Sequence, residues 1–210
     1  MTEAFVAPPT TATRAAIIRA DRMSLLGACQ WLAQTRGSIA LHESTYMYPI
    51  VESVHVLTLC LFVGMSVLFD LRLLGLVLPQ VRASAISVRL MPWMKVGFAI
   101  MVISGALLFY AVPVRSFQNI FFRIKAIALV LAGLNAWIFQ VGIRRRTAQW
   151  DLHPTPPPAA RLAGMTSLAL WAVIIVAGRM IAYSWFDCDK QPQSDFVNWA
   201  TGCTVEEPID

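Results

Sequence analysis

Residues 48–72 read YPIVESVHVLTLCLFVGMSVLFDLR, and within them Val54–Phe69 is apolar except for His55 and small polar side chains. A hydrocarbon core of about 30 Å needs about 20 helical residues to cross it. Lipid offers no hydrogen-bond partner to the backbone, so an apolar segment that crosses it on its own must be helical. The stretch therefore predicts a transmembrane helix over Tyr48–Arg72, with Pro49 in the first turn, where proline is tolerated.

Three further segments have the same character, and they predict helices over Val96–Val114, Phe121–Ile143 and Leu162–Trp185. The 210 residues are 57% hydrophobic and only 14% charged, whereas soluble domains average about 25% charged. An ordinary soluble enzyme and a disordered chain are thereby excluded. The net charge of +5 flanks the apolar runs instead of covering one polar face, which excludes a nucleic-acid partner. We predict an all-α, four-helix transmembrane bundle.

The basic residues predict the orientation, because Lys and Arg concentrate in cytoplasmic loops. We place the loops after the first and third helices in the cytoplasm of a bacterial inner membrane, with both chain termini in the periplasm. Tyr46, Tyr48, Tyr183 and Trp185 fit an outer aromatic belt, and Trp93 and Trp150 an inner one. The loops that decide this carry Arg72, Arg82, Arg89, Lys95, Arg144, Arg145, Arg146 and Arg161.

The remaining segments divide the chain into residues 1–47, 48–186 and 187–210. The first part is a periplasmic segment in which Met23–Ala40 predicts an amphipathic surface helix. The middle part is the transmembrane domain, and the last is an acidic periplasmic tail. Val81–Met91 is expected to lie on the cytoplasmic surface, with Pro92 at the turn into the second span, and His153–Pro158 to form a stiff linker.

Ionisable residues inside the spans indicate a site, because charge is costly in lipid. His55 lies about 10 Å inside the outer boundary, with Glu52 one turn above it, and Lys125 and Arg179 each lie about 9 Å inside. Three helices thus place imidazole, carboxylate and cations at one depth. We predict that Glu52, His55, Lys125 and Arg179 bind a cofactor, with His55 the residue that would ligate a metal.

The charge of this layer suggests the ligand. Glu52 neutralises one of the cations Arg123, Lys125 and Arg179, so positive charge remains beside an imidazole. Haem propionates, a quinone headgroup or a lipid phosphate would each suit it. The alternative is that the cations reach lipid headgroups while Glu52 and His55 form ordinary interhelical hydrogen bonds.

Several other residues have structural interpretations. Asp70, Arg72 and Lys95 form a second polar group at the opposite end, where pairing with neighbours is expected, and Asn135 is expected to join helices by a hydrogen bond. Met65, Met101 and Met180 are packing residues, or one of them is an axial ligand. Close-packing points are expected at Gly64, Gly97, Gly105, Gly133 and Gly178.

The cysteines predict one disulfide. Cys188 and Cys203 both fall in the tail, and an oxidising periplasm would let them close a small loop that stabilises the fold by about 3 kcal/mol. Cys29 and Cys60 are expected to be inert apolar residues. No Cys-x-x-Cys-His sequence occurs, so covalent haem attachment is excluded.

The chain resembles an uncharacterised bacterial family of small four-helix inner-membrane proteins. The resemblance runs from Trp31 to Tyr183. It lies in YPIVESVH at 48–55 with Gly64, in DLRLLG at 70–75, in FRIK at 122–125 with Asn135, and in AGRMIAY at 177–183.

More remotely, the first helix and Lys125 are similar to the CopD and HemJ groups, a copper-resistance membrane protein and a haem-containing protoporphyrinogen oxidase. This resemblance implies functional roles for His55 and Lys125. Such proteins often carry a further histidine late in the third helix, where this chain has Gln140.

Three functions follow from these features. The first is a haem b- or quinone-associated redox subunit of electron transport. The second is a non-catalytic accessory or anchor subunit whose tail binds a partner, and the third is a transporter of copper or a small solute. The expected partners are membrane lipids, including bound lipid, and either other membrane subunits or further copies of the chain. Whether the protein is an enzyme stays open.

Overall fold

The computed structural model describes residues 25–143, 151, 156–183, 185–188 and 192–203, and every regular element in these ranges is helical. Four helices are long and apolar enough to cross a membrane, so the predicted all-α, four-helix membrane bundle is confirmed. The helices are α1 Leu25–Ala33, α2 Arg36–Glu43, α3 Met47–Leu73, α4 Ala83–Ala111, α5 Pro113–Phe117, α6 Ile120–Ile138 with a π-helical turn at Phe139–Ile143, α7 Pro158–Ile181 and α8 Asp195–Thr201.

The four spans are α3, α4, α6 and α7. We call the end of the bundle that carries α1, α2, α5 and α8 the tail end, and the opposite end the loop end. Helix α3 packs between α4 and α7, and α7 packs in turn against α6. Small residues allow the closest approach: a Cβ at Gly164 would lie 3.1 Å from the backbone oxygen of Asp70.

The fourth side of the bundle is different. Within the described ranges, α4 and α6 do not pack along their lengths. They meet near the tail end, where the rings of Phe109 and Phe122 stack with centroids 5.5 Å apart. Below this stack the two helices diverge around a cavity.

The predicted surface helix is broken into α1 and α2. The break lies at Thr35, whose hydroxyl caps the start of α2 and hydrogen-bonds to the Leu32 carbonyl at 2.7 Å and to the Tyr110 hydroxyl at 2.7 Å. The Ser38 hydroxyl donates to the Tyr110 carbonyl at 2.7 Å. Because both α2 contacts reach α4, the segment is fixed on the tail end of the bundle.

The predicted turn at Pro92 is wrong. Helix α4 begins at Ala83 and continues through Pro92. Proline is tolerated in a membrane helix when the freed backbone group finds another partner. Burial of Ile86 and Ser87 holds this first part of α4 against the bundle, and Asp151 accepts a hydrogen bond from the Ser84 amide at 2.9 Å.

Two other boundaries and two packing points also differ. The fourth span begins at Pro158 and ends at Ile181, four residues earlier at each end than predicted. A Cβ built at Gly64 or Gly133 would have no atom of the described residues within 4 Å, so these two glycines are not close-packing points. Residues 153–155 of the predicted linker His153–Pro158, together with Trp150 and the arginines 144–146, lie outside the described residues.

The tail is held by specific contacts. The predicted Cys188–Cys203 disulfide is present, with Cα atoms 5.4 Å apart. Asn119 caps α6 by accepting from the Phe121 amide at 2.9 Å, and its Nδ2 donates to Asp187 at 3.0 Å. The backbone oxygens of α8 accept hydrogen bonds from Arg123, which reaches Thr201 at 3.0 Å and also Ala200. A charged residue expected at the membrane surface therefore binds the tail.

Candidate functional site

A cavity of about 650 Å³ occupies the space between α4 and α6 and extends inward to α3 and α7. Binding sites for small organic ligands have about this volume, 300–1,000 Å³, and are lined mostly by apolar side chains with a few polar groups. The apolar wall here is formed largely by aromatic and methionine side chains. The wall includes Phe62, Phe98, Phe109, Phe122, Trp171, Met91, Met94 and Met101.

His55 on α3 lines this cavity, and its orientation is fixed from α4. Its Nδ1 lies 2.9 Å from the Ser104 hydroxyl. A side chain at position 105 would collide with the ring, because a Cβ there would lie 3.2 Å from the imidazole Cε1. Ser104 and Gly105 thus form a polar contact and a recess that together hold the imidazole against α4.

The same contacts assign the tautomer of His55. Ser104 has a single hydroxyl proton, and it donates that proton to the Ile100 carbonyl at 2.7 Å. Its oxygen therefore accepts from His55, so Nδ1 carries the hydrogen, and the Met101 carbonyl is a further acceptor beside the ring. The lone pair of the imidazole then lies on Nε2, the nitrogen that can ligate a metal or accept a hydrogen bond.

Lys125 on α6 lines the cavity from the other side. Its side chain rests on α7 at Gly178, where a Cβ would lie 3.6 Å from Nζ. Among the described residues, no carboxylate oxygen lies within the 4.0 Å of an ion pair with Lys125. The cavity therefore combines an imidazole lone pair with an ammonium group that has no acidic partner in the described parts of the chain.

The other two predicted site residues do not line the cavity. Glu52 is exposed on α3, and Arg179 is exposed on α7 with its guanidinium 5.0 Å from the ring centroid of Tyr183. The structure brings together His55 and Lys125 but not Glu52 or Arg179. Whether any of the four binds a cofactor stays a prediction.

The donor set limits the metal chemistry. The described residues hold no group of three or more His, Cys, Asp or Glu side chains that could bind a metal ion. A metal bound here by protein atoms would rely on His55, with a thioether such as that of the buried Met101 as a second donor. One imidazole and soft thioethers in an apolar cavity fit a metal that brings its own equatorial ligands, as haem iron does.

Sequence reasoning missed the size of the cavity and several of its residues. Trp171 and Phe98 contribute large parts of the wall, yet their positions in the sequence do not differ from those of lipid-facing aromatics. Lys95, predicted to lie at the loop end, also reaches the lining, as does Gln140. Only the combination of Ser104 with Gly105 at one turn of α4 could have indicated the histidine contact.

The comparison with known protein families identifies a family. A model of a family of unknown function, DUF6644, matches residues 32–184. No curated protein and no solved structure matches the chain significantly.

Proposed function

The chain belongs to the DUF6644 family, and we propose that it is a membrane subunit of electron transfer whose cavity binds haem b or a quinone. The observation that carries the proposal is the convergence of His55 and Lys125 on one apolar cavity of about 650 Å³. Both ligands are flat, largely apolar molecules that reside in membranes. Each also has oxygen atoms that can bind a cation, and each has a group that can interact with an imidazole: the iron of haem or the hydroxyl of a quinol.

The tautomer of His55 favours haem b of the two. A ligating histidine usually donates its other N–H to a second group, which fixes the ring and raises its basicity, and Nδ1 does this with Ser104 at 2.9 Å. Haem would supply one-electron redox chemistry. Lys125 would pair with a propionate, and the aromatic wall would exclude water from the iron. A quinone in the same cavity would accept a hydrogen bond from Lys125, and its quinol form would donate to Nε2.

An absorption spectrum tests the proposal. The protein is purified in lipid nanodiscs, incubated with haem, and measured oxidised and reduced, while quinones are sought in lipid extracts. We expect either a Soret band that shifts on reduction or a co-purifying quinone. Loss of that ligand is expected in His55→Ala and retention in His42→Ala, which removes a histidine from the surface helix α2. Absence of both ligands from the folded wild-type protein would overturn the proposal.

The membrane placement proposed from the sequence has its own support. Helices α1 and α2 contact the same end of the bundle as α8, so both chain ends that the structure describes share one side. We assign this side to the periplasm of a bacterial inner membrane, since the basic loops lie at the other end. Reaction of single-cysteine variants at exposed positions 93 and 199 with an impermeant thiol reagent, on intact cells, distinguishes the two orientations.

A second candidate function is that of an accessory subunit. It is favoured by Phe196 and Trp199 on α8, which are 66% and 80% exposed and lie side by side, with ring centroids 6.2 Å apart. The disulfide and Arg123 present this pair rigidly at the tail end. A photo-crosslinking residue at position 199 should yield a discrete protein adduct in membranes, and lipid adducts alone would contradict this second function.

A further inference from the structure

A second, smaller cavity of about 110 Å³ lies at the loop end of the bundle. Its wall contains Asp70 of α3, and the polar residues around Asp70 come from all four spans. They are Ser66 on α3, Ser87 on α4, Asn135 and, in the π-helical turn, Gln140 on the α6 side, and Ser167 on α7. A cavity of this size has room for a few water molecules, and its polar groups offer them partners.

Asp70 is 5% exposed. The hydroxyls of Ser66 and Ser167 lie beside its carboxyl group, but among the described residues the buried Oδ2 has no hydrogen-bond partner. Oδ2 therefore remains for whatever the cavity contains. An ionised carboxylate with a bare oxygen inside a membrane protein is costly.

No cation in the described residues forms an ion pair with Asp70. Arg72, two positions along α3, is itself buried at 1% exposure. Residues two apart on a helix do not face each other, and the Nε of Arg72 donates to the Val81 carbonyl at 2.7 Å. Lys95 and Arg89 of α4 and Arg161 of α7 are exposed. The groups that face Asp70 from the other spans, among them Ser87, Asn135 and Ser167, are neutral.

We propose that Asp70 is a proton-binding site, with the proton on Oδ2 directed into the small cavity. Protonation removes the buried charge, and a protonated carboxyl has one O–H donor. Oδ2 can then donate a hydrogen bond into the cavity. Binding is a simple transfer: the carboxylate gains an O–H bond, and a hydronium ion that reaches the cavity from bulk water loses one and becomes water. No other reactant is required.

The site is placed to exchange protons with the larger cavity. The two cavities share residues of their walls, including Ser66, Gln140 and Ser167. A proton released by Asp70 thus has a partly polar path toward the space lined by His55 and Lys125. This last step rests on the proposed redox function, because a quinone bound there would consume protons on reduction; proton binding at Asp70 itself does not.

Infrared spectroscopy of the purified protein in lipid tests the proposal without any ligand. At about pH 6, two units above the usual pKa of an aspartate, we expect a carbonyl band of a protonated carboxylic acid that shifts in D₂O. The band should be absent from Asp70→Asn and present in Glu52→Gln, the control at an exposed carboxyl of the same helix. A band lacking in the wild-type protein, or unchanged in Asp70→Asn, would overturn the proposal.

A second variant covers the case in which Asp70→Asn fails to fold. Ser167→Ala removes a hydroxyl that lies beside the carboxyl and should move the frequency of the band while the carboxyl stays protonated. An unmoved band would show that it belongs to another acid, and a band abolished by Na⁺ but not by K⁺ would show that a metal cation is the occupant; either result contradicts the proposal. The haem and quinone measurements do not enter these outcomes, so the two proposals fail separately.

Discussion

The two sides of the bundle use similar apolar helices for different ends. On the side where α7 meets α3, Leu73 is 2% exposed and Gly164 lies against the Asp70 backbone. On the side where α4 faces α6, Gly133 has open space around it, and Leu129, which lines the large cavity, is 37% exposed. The first side holds the helices together, and the second leaves room for a ligand. The difference shows that apolarity alone does not tell a packed face from a binding face.

Truncation in the packed side should have the largest effect. Leu73→Ala leaves a cavity among Phe69, Ala160 and their neighbours, and we expect it to lower the free energy of unfolding by about 3 kcal/mol. Leu129→Ala is the matched control, since its side chain already borders the open cavity, and should change stability little. Thermal unfolding in detergent measures both. Equal losses would mean that the two sides are packed alike.

Overpacking at a glycine should have the next largest effect. A methyl group at Gly164 would lie 3.1 Å from a backbone oxygen and 3.3 Å from the Leu73 Cβ. Backbone atoms within a packed helix can move little to relieve such a contact. We expect Gly164→Ala to destabilise the protein by about 2 kcal/mol. Gly133→Ala, with nothing within 4 Å, should be neutral or slightly stabilising in the same unfolding measurement. The reverse order would contradict the comparison.

Filling the open side should affect the ligand and not the fold. Ala126 lines the large cavity, and Ala126→Trp should weaken haem or quinone binding at least about tenfold, or about 1.4 kcal/mol, with an unchanged unfolding midpoint. Ala106→Trp places the same bulk on an exposed part of α4 outside the lining and should leave affinity intact. A titration followed by absorbance or fluorescence quenching decides. Undiminished binding in Ala126→Trp would place the ligand elsewhere.

The smallest effect is expected at the Ser104–His55 hydrogen bond, which joins α3 to α4 beside the large cavity. Ser104→Ala leaves the Nδ1 hydrogen without its hydroxyl partner, which should cost about 1 kcal/mol of stability. It should also weaken ligand binding, because the imidazole ring is then held less firmly. Ser53→Ala, at an exposed position of α3, controls for loss of a serine. NMR of ¹⁵N-labelled histidine would show whether the Nδ1–H tautomer becomes mixed. An unaltered tautomer would mean that Ser104 does not set it.

The helical architecture followed from the sequence, because an apolar run such as Val54–Phe69 can satisfy its backbone in lipid only as a helix. Details of the backbone did not follow. Pro92 was expected to mark the turn into the second span, but the buried Ile86 and Ser87 before it hold α4 in one piece. A proline has a local cost, and tertiary packing, which the sequence pattern does not show, decides whether the helix absorbs it.

The site was partly predictable for a geometric reason. Counting residues from a membrane boundary gives the depth of a side chain but not its direction around the helix axis. His55 and Lys125 share both depth and direction, whereas Arg179 shares only the depth and stacks on Tyr183. Glu52 is close to His55 in sequence and still exposed. The rotation of each helix about its axis depends on which of its faces pack. Small residues such as Gly105 and Gly178 indicate that rotation only once the side chain that packs against them is known.

The divergence of α4 from α6 below the Phe109–Phe122 stack has a consequence for any occupant. The opening is lateral, so a molecule would enter from the bilayer, and its occupancy follows its mole fraction among the lipids under mass action. Solubilisation in excess detergent dilutes such a molecule, because detergent micelles also dissolve apolar molecules. Detergent-purified protein would thus lose a weakly held native occupant that the same protein retains when extracted together with a patch of surrounding lipid.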